Sequence, residues 1–230
     1  MKSNIKYKKT KSKKHADKRE IKYISFKSFL AMYDITTNLR NRLILKLLFF
    51  GLFRRQELSS VKIEDINFED YEIILHKENT KTDDARVITL DQSIMTEIKT
   101  YLNTVKRKKG YLFGTRQSRH ISPEMINLIV KQAAKKANIQ STYGKTKECP
   151  TGKSIKRKNK GKLMKRQLNQ ITAHTLRHSG IINMKNRGIN DSTIMLQSGH
   201  ACFDSFRIYA KYSTKDRQKQ LQSHGAFDME

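Results

Sequence analysis

Apolar residues fall at helical spacing through SFKSFLAMYDI (25–35) and again through NRLILKLLFFGLF (41–53), which predicts two helices. The second is apolar nearly all round and is expected to be deeply buried. The period then changes. VKIEDINF, YEIILHKE and ARVITLD are short, rich in β-formers and separated by ED and NTKTDD, the pattern of a small antiparallel sheet of three strands. Helical spacing returns in IMTEIKTYLNTV, which KRKKG closes with a basic turn and a glycine. SPEMINLIVKQAAKKANI predicts another helix, with Ser122 as N-cap and Pro123 in the first position. Three more helices are expected over about 174–187, ended by Gly188, then near 191–197, and over about 203–222. The fold class read from this pattern is mainly α with a small three-stranded antiparallel β-sheet, an α+β arrangement.

Two stretches break the pattern, and both are basic. Residues 1–20 hold nine Lys/Arg and two acids, net +7, and read as a flexible basic arm ahead of an ordered domain over 21–230. Residues 141–167 carry ten Lys/Arg against one acid, net +9, and read as a basic loop or hairpin inserted into that domain. Across all 230 residues the formal net charge is +27, an imbalance that repels itself unless a polyanion relieves it. Nucleic acid is the first candidate and an anionic membrane surface the second. The best apolar run, LILKLLFFGLF (43–53), is short and interrupted by Lys46, so it fits a buried helix better than a membrane span. The basic N-terminus leads into no apolar signal region. Cys149 and Cys202 make no disulfide framework and fit a reducing compartment. The expectation is a cytoplasmic, DNA-associated protein with no membrane partner.

The candidate chemistry centres on ITAHTLRHSG (171–180). On a helix His174 and Arg177 face the same way, and His178 follows His174 by four residues. A His-x3-His pair is half of a zinc site, but no acid or cysteine stands at a supporting spacing. Taken alone, the segment is a charged helix face. Three other blocks change that weighting. QSGHACFDSFRIYAKYS sets Tyr209 nine residues after His200. FFGLFRRQELSSVKIEDI puts Arg54 three residues before Glu57, at the end of the predicted buried helix. NTKTDDARVITL places Lys81 at the tip of the predicted hairpin, five residues before Arg86.

In this order the blocks resemble the tyrosine recombinase (phage integrase) family, in its catalytic domain. The matching pieces are Arg54-Arg55-Gln56-Glu57-Leu58, the hairpin KTDDARVITL, the His-x-x-Arg of HTLR, Gly199-His200 and Tyr209. The resemblance covers about 21–215. Departures are Ser198 where the family usually has Leu, Thr89 where it often has Pro, and the long basic insertion. The short basic arm also stands where the family commonly has a helical DNA-clamping domain.

The resemblance implies that Tyr209 attacks a DNA phosphodiester to form a 3′-phosphotyrosine and release a 5′-hydroxyl. Arg54 and Arg177 would clamp the non-bridging oxygens, planar and permanently charged. Lys81 would protonate the leaving oxygen. His174 would shuttle the tyrosine proton or donate to phosphate, His200 would donate to phosphate, and Glu57 would orient a catalytic cation. An ordinary phenol titrates near 10, and nearby cations are expected to lower Tyr209 toward neutrality. No metal and no nucleotide cofactor is implied, since the arginines neutralise the charge. The implied partners are double-stranded DNA, further copies in a homo-tetramer on paired sites, and accessory proteins.

Rival residues stay in view: Arg55 beside Arg54, Lys77 in the hairpin of Lys81, and Tyr212 one turn after Tyr209. His178 is read as a packed or capping histidine, and Tyr101 and Tyr111 as packing residues. Rival functions are a type IB-like topoisomerase with the same chemistry, or a non-catalytic DNA-binding protein descended from a recombinase.

Overall fold

Helix starts in this chain are set by side chains that take up a backbone N–H left without a helical partner. Ser25 opens α1 (Phe26–Asp34) and Asn38 opens α2 (Leu39–Phe49) in this way. The computed structural model describes residues 21–76, 85–115, 120–148 and 164–213. The arm at 1–20, Lys77, Lys81 and the chain beyond 213 lie outside the described residues, as does the side chain of Tyr212. After α2 comes α3 (Arg55–Ser60), then a 3-10 turn (Ile63–Asp65). Strands β1 (Ile66–Asn67), β2 (Glu72–Leu75) and β3 (Arg86–Thr89) follow, paired antiparallel in that order. Asp91 caps α4 (Gln92–Val105), and Ser122, followed by Pro123, caps α5 (Pro123–Lys136). β4 (Thr142–Glu148) and β5 (Met164–Asn169) pair antiparallel at the two ends of the basic insertion. Thr172 opens α6 (Ala173–Asn186) and Asn190 opens α7 (Asp191–Ser198). A single turn, α8 (Phe203–Phe206), runs into a 3-10 segment, Arg207–Ser213.

The fold is thus mainly α with a small three-stranded sheet. Four local expectations need correction. VKIEDINF is mostly a 3-10 turn, and only two of its residues pair as a strand. The left-handed residue closing α4 is Lys106 rather than the glycine of KRKKG, because the helix ends at Val105, five residues before Gly110. Arg54 does not end the buried helix: α2 stops at Phe49, and Arg54 is the N-cap of α3. The expected helix over 203–222 is only α8 and the 3-10 segment as far as 213, with the remainder outside the described residues.

Alternation in the strands follows the pleat. Ile73, Leu75 and Ile88 are buried, while Ile74 and Val87 sit opposite each other and are exposed. The buried face joins α1, α2, α4 and α5 in the main core, where Phe29 stacks on Phe49 at 4.1 Å between ring centroids. Lys46, which breaks the apolar run of α2, ion-pairs with Glu97 of α4 and lies 4.8 Å from the Tyr33 ring centre. Its charge is therefore paired at the edge of the core rather than buried alone. A second, smaller cluster holds Ile21, Leu52, Ile181, Ile182, Ile194, Phe206 and Tyr209. This cluster binds α6, α7 and the C-terminal turn together and carries the tyrosine singled out in the sequence.

The two clusters meet where α6 crosses the end of α2. Gly180 makes that approach possible: a β-carbon there would lie 1.9 Å from the Phe49 carbonyl oxygen and 2.6 Å from Leu52 Cδ2. Gly180→Ala sets a gain of up to ~1 kcal/mol in helix propensity against a backbone clash that only separating the helices can relieve, at ~1–3 kcal/mol. The clash wins. The urea midpoint of Gly180→Ala is expected to fall, and an unchanged or higher midpoint would show that α6 and α2 are not in this contact.

Candidate active site

One buried carboxylate organises the approach to α3. Glu57, 1% exposed, accepts from Arg54 Nη1 at 2.7 Å and from the Arg54 backbone N–H at 2.7 Å. From the opposite side Arg86 of β3 donates to both its oxygens, at 3.1 and 2.8 Å. Burial pushes the Arg86 guanidinium down from its usual value, against the pull of Glu57, and its Nε is buried with no hydrogen-bond partner among the described residues. Arg54 Nη2 extends the chain of contacts to the carbonyl of Gly199, at 2.8 Å. Gly199 takes a left-handed φ of +65°, and a β-carbon on it would lie 2.1 Å from Arg86 Nη1. Both facts demand glycine at that position.

Arg177, 2% exposed on α6, donates to the carbonyl of Leu52 and, at 2.5 Å, to that of Ser198. Leu52 has a φ of +53°, a conformation costly for a branched side chain and tolerated here where its carbonyl meets the guanidinium. Burial, then the nearby charge of Arg54, pushes Arg177 down to about 9, so it remains a cation at neutral pH. Ser198 links the two ends of the site. Its carbonyl accepts from Arg177, and its hydroxyl lies 2.6 Å from His200 Nδ1. That contact occupies one ring nitrogen of His200 and leaves Nε2 for other partners. A cleft of about 430 Å³ opens beside Arg54 and Arg177, lined also by Arg55, Gln56, Asn127, Thr172 and His174, with Phe53 and Ala173. The N-terminal turns of α3 and α6 both border it, and helix N-termini favour anions.

Tyr209 is 1% exposed, within the smaller core cluster. Its ring lies 5.1 Å from that of Phe206 and 5.8 Å from that of His200. Its hydroxyl is 2.5 Å from His178 Nδ1. Burial pushes the phenol up to about 12, although Arg177 and Arg54 pull the other way. The expected lowering of Tyr209 is therefore corrected: desolvation of the phenolate outweighs the cations in the free protein. At neutral pH the ionised fraction is on the order of 10⁻⁵. His178 and His200 are each pushed down to about 3, first by burial and then by surrounding positive groups, so both rings are neutral.

Of the residues picked from the sequence, Arg54, Glu57, Arg177, His200 and Tyr209 fall within one connected set of contacts. His174, exposed on α6, joins it through His178, the two ring centres 4.0 Å apart. Lys81 lies outside the described residues. Arg55 is exposed, whereas Arg54 is paired. Tyr101 is core, 5.7 Å from Phe113. Tyr111 is part-buried, with its ring 4.8 Å from that of His120. Three members of the set were not picked: Arg86, used only as a marker for Lys81; Ser198, noted only as a departure; and His178, read as packing. Adjacency to a motif was the one signal available for each.

Comparison with known proteins adds relatives to this geometry. The sequence model of the phage integrase family matches residues 22–216. Tyrosine recombinase XerA of Pyrococcus horikoshii is 29% identical over 192 residues, covering 82% of this chain and 56% of that protein. The chain thus spans about half the length of that relative. Among solved structures, XerA recombinase superposes with a TM-score of 0.64 at 18% identity, over 88% of this chain and 64% of that one. XerH site-specific recombinase bound to its difH substrate, in a pre-cleavage complex, gives 0.60 at 19% identity, over 91% and 55%.

Two outcomes follow from the charges. Glu57→Ala leaves Arg54 and Arg86 facing each other without their shared carboxylate, at a cost of about 3 kcal/mol; Glu57→Gln, which keeps one acceptor oxygen, is expected to lose less, both read by urea unfolding. For the histidines, the folded values lie below the unfolded value near 6.5, so the unfolded chain takes up protons first on acidification. Their contribution is complete above pH 6.5 and is lost progressively toward pH 3. The unfolding midpoint is expected to drop already between pH 6.5 and 5, before carboxylates titrate, and a flat profile there would contradict the neutral rings.

Proposed function

The chain belongs to the phage integrase family, and from that premise we propose that it is the strand-cleaving part of a site-specific DNA recombinase or integrase. In this reading Tyr209 attacks a phosphodiester of double-stranded DNA, forms a 3′-phosphotyrosine and releases a 5′-hydroxyl. The phosphate bond is kept in the covalent link, so another 5′-hydroxyl can reverse the step on a new partner strand. The observation that carries the reading is the meeting of one buried phenol with the charges of Arg177 and Arg54, two arginines that line a cleft.

The geometry supports a division of labour. Arg54 and Arg177 are preorganised by Glu57 and by backbone carbonyls, so they lose little freedom when a phosphate arrives. Each terminal nitrogen of a guanidinium carries two protons, so a carbonyl contact leaves a proton for a phosphate oxygen. Charge that builds on the transferring phosphoryl group strengthens these bonds in the transition state above those in the ground state. His200, its Nδ1 engaged by Ser198, offers Nε2 to a phosphate oxygen, and His174 lines the cleft with Arg54 and Arg177. Lys81 is assigned the protonation of the leaving 5′-oxygen. The net charge of +27 supports a duplex DNA partner, with the basic arm and the insertion at 141–167 as the phosphate-neutralising extensions. A homo-tetramer on paired sites, accessory proteins and a cytoplasmic, DNA-bound location complete the proposal.

The test is a pool of nicked duplexes with randomised sequence, incubated with the protein and resolved on a denaturing gel. A protein–DNA covalent band is expected, lost in Tyr209→Phe, and sequencing of the trapped ends returns the target. Relaxation of any supercoiled plasmid without exchange of partners would favour a topoisomerase, and the lack of any covalent band would favour a non-catalytic binder.

A further inference from the structure

The Tyr209 hydroxyl sits 2.5 Å from a single nitrogen, His178 Nδ1. Two arrangements fit that distance: the phenol donates to a bare Nδ1, or an Nδ1–H donates to the phenol oxygen. The surroundings distinguish them. The tyrosine is buried, and His178 is the one hydrogen-bond partner of its hydroxyl among the described residues. Were Nδ1 to donate, the phenolic proton would be buried with no acceptor, a cost that native structures rarely bear. The phenol therefore donates, and Nδ1 stands as its acceptor on the neutral ring.

From this contact we infer that His178 is a catalytic residue, its Nδ1 taking the Tyr209 proton as the phenol oxygen attacks phosphorus. This role rests on the recombinase reading and deepens it. The balance is simple. The O–H bond of Tyr209 breaks with its proton passing to Nδ1, an oxygen–phosphorus bond forms, and the bond from phosphorus to the 5′-oxygen breaks. The 5′-oxygen collects a proton from the general acid assigned to Lys81. On religation every transfer reverses, and the His178 imidazolium returns its proton to the tyrosine. The contact observed at the Tyr209 hydroxyl is with His178, while His174, whose ring centre is 4.0 Å from that of His178, keeps the alternative role of donating to phosphate.

The charged groups around His178 explain why such a base stays idle without DNA. Burial opposes a positive charge on the ring most, followed by His174 and Arg177 on its own helix; His200 after α7, itself neutral, would oppose it only if protonated. A phosphodiester held by Arg177, Arg54 and His200 cancels part of that repulsion at the moment the proton must move. The same cations thus suppress deprotonation in the free protein and permit it in the complex. This couples generation of the nucleophile to arrival of its substrate.

The test has two arms. In histidine-labelled protein, nitrogen NMR is expected to find His178 with Nδ1 unprotonated and Nε2 protonated down to pH 5; the opposite tautomer overturns the proposal without any DNA. In the second arm the duplex recovered by covalent trapping carries a sulfur at the bridging 5′ position, so the leaving group needs no proton and the rate reads the attack step alone. His178→Asn keeps a hydrogen-bonding group near the Nδ1 position but removes the base. It is expected to fold with an unchanged melting temperature and to form the covalent complex about 10²–10⁴-fold more slowly. Its rate should climb about tenfold per pH unit where the parent protein's does not, a signature that loss of structure would not produce. Attack by His178→Asn at the parent rate, or with the parent's pH profile, overturns the role. Failure of the parent protein itself to form any complex refutes the recombinase reading instead.

Discussion

The carboxylate of Glu57 is the constraint on which the site depends. Three guanidiniums, those of Arg54, Arg86 and Arg177, act on one another through space, and only one acid among the described residues is paired with any of them. Placed together without it, they would repel strongly in a medium of low dielectric. With it, Arg54 and Arg86 are tied to a shared anion, and the remaining donors find the carbonyls of Leu52, Ser198 and Gly199. The cluster keeps a positive excess that is structurally tolerable and chemically useful. A phosphate entering such a cluster meets fixed dipoles and charges that need little rearrangement, the arrangement that lowers a barrier most.

A second tension shapes the proposed nucleophile. Tyr209 belongs to an apolar cluster that binds three elements, and the same burial that fixes its position discourages its ionisation. Cations alone do not overcome this in the free protein, since the phenol sits near 12. Returning it to half-ionisation at neutral pH would take about 5 pK units, or roughly 7 kcal/mol, if the proton left before attack. Concerted removal by a neighbouring base avoids forming that free phenolate. In the proposed role of His178, the apolar cluster and the His178 contact are two parts of one solution: rigid placement, with a route for the proton.

How much of this was legible in the sequence depends on whether the signal was local. Ser25, Asn38, Ser122 and Asn190 announce helices through their own chemistry, and the alternation of Ile73, Leu75 and Ile88 announces a half-buried sheet. Arg54, Glu57, Arg177, His200 and Tyr209 were legible through the resemblance of their motifs to the recombinase family's, no one motif being decisive alone. Arg86 was not, because its importance comes from a bond to a residue 29 positions earlier. His178 was not, because a histidine beside an arginine on a helix says nothing about a tyrosine 31 residues on. The left-handed Leu52 was least legible of all, since the guanidinium that meets its carbonyl comes from a distant helix. The rise in the Tyr209 pKa was missed for a related reason. Composition counts cations, whereas ionisation responds to burial as well.

The two departures from the usual motif turn out to be structural devices. Thr89 stands where proline is common, and its N–H, which a proline would lack, donates to the Gln197 side chain at 3.2 Å. Gln197 in turn donates to the Thr89 carbonyl at 2.8 Å, so the end of β3 and the end of α7 are held by a reciprocal pair. The next residue along α7 is Ser198, the other departure, whose hydroxyl meets His200. A leucine there would fill space but leave that ring nitrogen without this partner. Through these two substitutions the strand bearing Arg86 is fastened to the turn bearing Gly199 and His200. The sheet edge, the Glu57 cluster and the imidazole are therefore tied together, and the register of β3 against α7 becomes part of how the proposed phosphate-binding groups are held.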